Sequence, residues 1–198
     1  MNILNEFDTI TAIATPLGMG GVGVIRISGE KAFEIIKEIF SNPNFEPRKF
    51  NHGWIIDGNT KIDEVIVLPF FAPNSYTGED VIEIQCHGGV NVVRNILKLV
   101  ISKGARIAEK GEFTKRAFLN KRMDLSQAES VADIIHSKTG KFAKIALKNL
   151  SLSLNSVLYR LTQTNSFLFF LKSLIHHLMA LNVFPPPRLP ITKLNNLL

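Results

Sequence analysis

Polar and apolar residues alternate most clearly over Val81-Ile82-Glu83-Ile84-Gln85-Cys86. The period of two predicts a strand with Ile82, Ile84 and Cys86 on one face and Val81, Glu83 and Gln85 on the other. Turn-formers Pro73, Asn74, Ser75, Thr77 and Gly78 precede it and Gly88-Gly89 follow it. Similar runs predict strands over 9–15, 22–27, 50–57 and 65–68, with Gly58-Asn59 turning between the last two, and a short edge strand over 106–108. Helical spacing takes over elsewhere. It covers 30–40 (Phe33, Ile36, Ile39, Phe40), 90–102 (Val93, Ile96, Leu97, Val100) and 112–119 (Phe113, Ala117 and Phe118 inward). A helix from Ser126 to Ser137 has an S-x-x-E capping box at Ser126–Glu129 and a core stripe of Val131, Ile134 and Ile135. From Lys141 the pattern is helical to about Leu181, with a break near Thr162–Ser166, and Pro185-Pro186-Pro187 stops any helix. Trp54 is assigned to the core.

Composition narrows the class. The chain has 198 residues, 45% of them hydrophobic, which suits a globular core. Its net charge of +6 is concentrated: residues 94–148 hold 13 Lys/Arg against 5 Asp/Glu. Such a surface favours polyanions or carboxylated ligands, unless the charges belong to a solvated helix face. The single cysteine, Cys86, excludes an internal disulfide and a cysteine-based zinc site, and is compatible with the cytoplasm. Met1–Asp8 has no positive n-region, so no secretory leader is expected. The longest apolar run, Phe167–Leu181, falls short of the roughly 20 residues of a spanning helix, so no membrane association is expected.

Candidate chemistry is sparse. Gly18-Met19-Gly20-Gly21-Val22-Gly23 matches G-x-G-x-x-G formally, but the fingerprint needs a helix directly after it. Here a strand follows, so a hairpin or loop that admits a close backbone approach is expected instead. Arg26 lies between Ile25 and Ile27 and points opposite to them, outward or into a cleft. Glu83 and Gln85 are either solvated or bonded to a specific partner, and solvation is the simpler reading. Cys86-His87 is not expected to act as nucleophile and base, because strand neighbours face opposite ways. His176 and His177, adjacent on a helix, do not form a metal pair. No G-x-x-x-x-G-K-[ST] loop occurs anywhere in the chain.

Three stretches and the spacing between them carry a resemblance. PNSYTGEDVIEIQCHGG, DTITAIATPLGMGGVGVIRISG and GEFTKRAFLNKRMDLSQAESVADII, in this spacing over Asp8–Ile135, closely resemble the N-terminal domain of the tRNA modification GTPase family MnmE, also called TrmE. The resemblance implies an α+β fold. A mixed β-sheet with flanking helices, similar to the tetrahydrofolate-binding domain of aminomethyltransferases, would be followed by a partial all-helical segment. It divides the chain into a folate-binding and dimerisation domain over 1–121, the start of a helical domain over 122–181 and a proline-containing tail over 182–198. It implies that Arg26, Glu83 and Arg122 bind a tetrahydrofolate derivative, 5-formyl- or 5,10-methylene-. No catalytic residue and no metal site are implied for this chain. The implied partners are a second copy, the flavoprotein MnmG and tRNA, in wobble-uridine modification of the 5-carboxymethylaminomethyl type. GTP, potassium and magnesium belong to the family's G domain, which the sequence lacks. The tail FPPPRLP departs from the family, and a truncated gene is one expectation. A stand-alone folate-dependent one-carbon transferase, a basic RNA-binding module and a non-functional remnant are the competing readings.

Overall fold

The computed structural model describes residues 8–42, 44–46 and 49–151. The readings for 152–181, including the break at Thr162–Ser166 and the pair His176 and His177, and for the tail over 182–198, lie outside the described residues.

Six strands form one mixed sheet: β1 (Ile10–Ile13), β2 (Val22–Ser28), β3 (Asn51–Asp57), β4 (Thr60–Phe70), β5 (Val81–His87) and β6 (Arg106–Ile107). Their order is β3-β4-β5-β2-β1-β6. Every neighbouring pair is antiparallel except β1 and β6, which run parallel. The long β4 extends well beyond the expected 65–68, because its first half pairs with β3 and its second half with β5.

Among the described residues five helices accompany the sheet: α1 (Ala32–Ile39), α2 (Val90–Ser102), α3 (Glu112–Leu119), α4 (Leu125–His136) and α5 (Gly140–Ser151). The fold is therefore α+β with a mixed sheet. Helices α1 and α2 place Ile35, Ile36, Ile39, Val93, Ile96 and Val100 against Ile25, Ile27, Val67, Ile82 and Ile84 of the sheet. These are the apolar halves of the alternating strands, and their burial is the main force ordering the sheet. The opposite halves, including Arg26 and Glu83, face away from α1 and α2.

The glycine-rich segment is a connection between antiparallel strands, and β2 follows it rather than a helix. What approaches it is the chain itself. A Cβ on Gly88 would overlap the Gly20 carbonyl, and Gly88 N–H donates to Gly21 O at 3.3 Å. Glycine at 88 thus lets the β1–β2 connection lie on the end of β5.

Three local expectations are corrected. Trp54 is only half-buried: it sits on the end strand β3 and on the face away from the helices, where Lys61 Nζ lies 4.3 Å from its ring centroid. The cap of α4 is Asp124, not Ser126. Asp124 Oδ1 accepts from Gln127 N–H at 2.9 Å, while Gln127 Oε1 accepts from Asp124 N–H at 3.0 Å. An aspartate two residues earlier completes the reciprocal pair with Gln127, and Ser126 is left to donate to Asp124. Ile135, expected inward, is 72% exposed, as is Phe118 at 39%.

Candidate functional site

The register of β2 and β5 sets Arg26 directly opposite Glu83. Both point away from α1 and α2. Arg26 Nε donates to Glu83 Oε1 at 2.8 Å, and a terminal guanidinium nitrogen lies 2.6 Å from the same oxygen. The side chains keep 25% and 19% exposure, so the pair is reachable from solvent. Glu83 is therefore bonded to a specific partner, which corrects the simpler reading of solvation. The guanidinium carbon lies 5.0 Å from the Tyr76 ring centroid and 5.6 Å from that of Phe113. Two aromatic faces thus hold the cation against the sheet. Tyr76 is fixed in turn by a 2.9 Å hydrogen bond between its hydroxyl and that of Thr114. Gln85 follows Glu83 on the same face and is half-buried.

Tyr76 is delivered by the turn-rich segment before β5. Ser75 Oγ donates to Glu79 O at 2.5 Å and accepts from Gly78 N–H at 3.0 Å. Ala72 N–H donates to Asp80 Oδ1 at 2.9 Å, next to a cis Ala72-Pro73 bond. Gly78 has φ +81, a left-handed conformation that costs glycine little. Asn120 Nδ2 donates to Thr77 O at 2.8 Å and Arg122 Nε to Ser75 O at 3.0 Å. Arg122 is exposed. All three expected site residues border this one segment, but only Arg26 and Glu83 touch each other; Arg122 clamps the backbone beside Tyr76.

Beneath the segment lies a charged cluster that sequence reasoning missed. Arg116 of α3 is 5% exposed. It donates to Asp8 O and Asp8 Oδ1, both at 2.7 Å, and meets Glu79 and Glu112 at 3.3 Å. Arg106 of β6 adds bonds to Asp8 at 2.6 and 3.0 Å and to Glu112 at 2.7 and 3.1 Å. Glu79 accepts from Ser28 Oγ at 2.6 Å, and that hydroxyl also meets Thr77 Oγ1 at 2.7 Å. The cluster ties α3, which carries Phe113, to the segment that carries Tyr76. The only sequence signal was that Arg116 falls beside the inward Ala117 of a short helix.

Charge pairing sets the acidity of this cluster. The Arg106 hydrogen bond, with Arg116 behind it, holds Asp8 below its ordinary value of 3.8 against the opposing effect of burial. Burial alone would raise Glu112; bonds from Arg106 and from Glu109 N–H outweigh it and leave the carboxyl below 4.5. The same contacts, Asp8 first, raise the Arg106 pKa. Carboxyls depressed in the folded state stabilise it when ionised. That contribution is complete above about pH 4.5 and is lost as pH falls below 4.5 and then 3.8, through the depressed values. In acid titrations followed by circular dichroism, Arg106→Gln is expected to be less stable than wild type at pH 7 and to lose less on going to pH 3. An unchanged acid slope would remove Arg106 from this role.

The arrangement offers a carboxylate acceptor, a guanidinium with unused donors and two aromatic faces. It offers no nucleophile and base. Cys86 is buried, its Sγ donates to Gly23 O at 3.4 Å, and burial, aided by the Asp63 charge, pushes its thiol up to about 11. His87 faces the other way, held by its Nδ1 on Asp63 at 2.7 Å. Among the described residues no three His, Cys, Asp or Glu side chains gather as a metal site, and no helix is long and apolar enough to cross a membrane.

Comparison with known proteins adds ancestry to this geometry. The family profile described as "GTP-binding protein TrmE N-terminus" matches residues 9–122. The chain is 54% identical over 159 residues to the tRNA modification GTPase MnmE of Streptococcus mutans serotype c, covering 79% of this chain and 35% of that protein. It is 48% identical over 168 residues to the tRNA modification GTPase MnmE of Lactiplantibacillus plantarum, covering 82% of this chain and 36% of the relative. The chain thus spans about a third of the length of these curated relatives.

Proposed function

This chain belongs to the GTP-binding protein TrmE N-terminus family, and from that premise we propose that it is the folate-binding and dimerisation module of a tRNA modification system. The observation that carries the reading is the Arg26–Glu83 pair, largely buried but reachable from solvent and framed by Tyr76 and Phe113. A pterin ring has a planar face and an amino-pyrimidine edge that donates hydrogen bonds. Glu83 is an acceptor for that edge, and the aromatic rings offer flat apolar contact. The glutamate tail carries carboxylates, and Arg26 and Arg122 are the guanidinium groups bordering the same segment. The ligand class is a tetrahydrofolate derivative, 5-formyl- or 5,10-methylene-, which supplies a one-carbon unit when bound. This chain's residues bind and orient it. The sheet with its flanking helices is, on this reading, a relative of the tetrahydrofolate-binding domain of aminomethyltransferases.

The wider role we propose is 5-carboxymethylaminomethyl-type modification of the tRNA wobble uridine in the cytoplasm, as a homodimer with the flavoprotein MnmG. The relatives' names carry the tRNA modification part of that reading. Calorimetric titration of the purified chain with 5-formyltetrahydrofolate, with its mass in solution measured alongside, is the test. Saturable binding by a dimer is the expected result. A chain that stays folded and binds no folate overturns the reading.

A further inference from the structure

The turn between β3 and β4 and the outer ridge of α2 flank a cleft of about 480 Å³, within the roughly 300–1,000 Å³ of small-molecule sites. Its strand wall is Asp57, Thr60 and Ile62, and its helix wall is Asn95, Lys98, Leu99 and Ser102. Asp57 pairs directly with Thr60 in the hairpin, so both side chains leave the same face of the sheet, and Ile62 follows two residues on. On α2, Asn95, Lys98 and Ser102 fall within about 60° of one another at 3.6 residues per turn. Leu99, 5% exposed, and the half-buried Ile62 form an apolar floor. The rim is polar throughout: no large apolar side chain of 56–62 or 94–103 is exposed. Among the described residues the side chains of Asp57, Thr60, Asn95 and Lys98 have no hydrogen bond or ion pair. Ser102 Oγ donates to Leu99 O at 2.7 Å, which leaves it an acceptor toward the cleft.

We propose that this cleft binds a small polyhydroxylated molecule with one anionic end, the chemistry shared by a sugar phosphate and a sugar acid. Among the described residues Lys98 is the sole cation lining it, and it takes the anionic end as a point charge. Asp57, the sole carboxylate there, stands on the opposite wall. It repels a ligand that is anionic along its whole length and accepts from a hydroxylated one. Thr60 and Asn95 both donate and accept, and Ser102 accepts. Hydroxyls satisfy that mixed pattern, whereas an aliphatic zwitterion leaves it unpaired. No aromatic side chain lines the cleft, so a nucleobase or a pterin finds no stacking surface. Helix α2 packs on the face of the sheet opposite the Arg26–Glu83 pair. The cleft is therefore separate from that pair, and the inference does not depend on folate binding.

The test is an NMR titration of the isotope-labelled full chain with D-glucose 6-phosphate and with D-glucuronate, the tighter of the two naming the anionic group. Saturable shifts of the Asn95 side-chain amide and of the Gly58 and Asn59 backbone amides are expected. Lys98→Gln and Asp57→Asn should each weaken the better ligand about tenfold, the loss of one charge-assisted contact. Arg94→Gln removes an exposed α2 cation outside the cleft and should bind as wild type does. Asp57 and Lys98 are exposed, so both variants should fold, and unchanged spectra away from the cleft check this. The absence of saturable shifts with either sugar overturns the proposal. So does inorganic phosphate that binds as tightly as glucose 6-phosphate, because the hydroxyls would then contribute nothing. Equal weakening by Arg94→Gln overturns it too. Unaltered 5-formyltetrahydrofolate titration of Lys98→Gln separates this result from any failure of the folate site.

Discussion

Replacing Arg116 by alanine is expected to destabilise the fold by about 3–5 kcal/mol, the range for removing one partner of a buried charge cluster. Arg116 is 5% exposed and serves three carboxylates, Asp8, Glu79 and Glu112. Without it, Arg106 is left to offset Asp8 and Glu112, and the Glu79 carboxylate keeps the Ser28 hydroxyl as its donor. The penalty comes from leaving those carboxylates close together and part-buried, rather than from the worth of any single bond. Arg116→Lys should recover only part of the loss, because an ammonium cannot span Asp8 O, Asp8 Oδ1 and Glu79 as the planar fork does. Urea unfolding at pH 7 reads both variants. A loss under about 1 kcal/mol for alanine would show that Arg116 does not hold α3 to the segment over 72–80.

The second large effect is on binding. Glu83→Ala should weaken 5-formyltetrahydrofolate by about 1–3 kcal/mol, the cost of leaving the donors of a buried ligand edge unpaired. Stability should move far less. The Arg26–Glu83 pair retains 25% and 19% exposure, so solvent screens it and its loss costs the fold about 1 kcal/mol or less. Tyr76 and Phe113 continue to hold Arg26 when Glu83 is gone. A large fall in affinity with a nearly constant melting temperature is thus the signature of a ligand contact. Matching losses in both would assign Glu83 a structural role.

Much of the frame was legible because local signals agreed. Helix α2 has the expected bounds, Val90–Ser102, since Gly89 and Gly104 flank an apolar stripe, and Gly104 takes φ +105. Strand β5 buries Ile82, Ile84 and Cys86 as its alternation requires. The failures are non-local. Trp54 looks like a core residue by type, yet its exposure depends on β3 ending the sheet, a property of strand order. The Asp8–Arg116 contact joins residues 108 positions apart, and no period marks it. At the site, the pattern placed Arg26 and Glu83 on outward faces of separate strands, but their meeting needed the β2–β5 register. Arg122 came from family resemblance alone, and its bond to Ser75 O explains its position beside the site better than any helix pattern does.

One paired titration tests the central claim most directly: wild type and Glu83→Ala against the same 5-formyltetrahydrofolate solution, by calorimetry, at one pH and salt. The account predicts saturable binding by wild type and an affinity lower by about 5- to 150-fold in the variant, the equivalent of 1–3 kcal/mol. Equal affinities for the two chains would contradict it, because the ligand would then be bound somewhere other than the Arg26–Glu83 face.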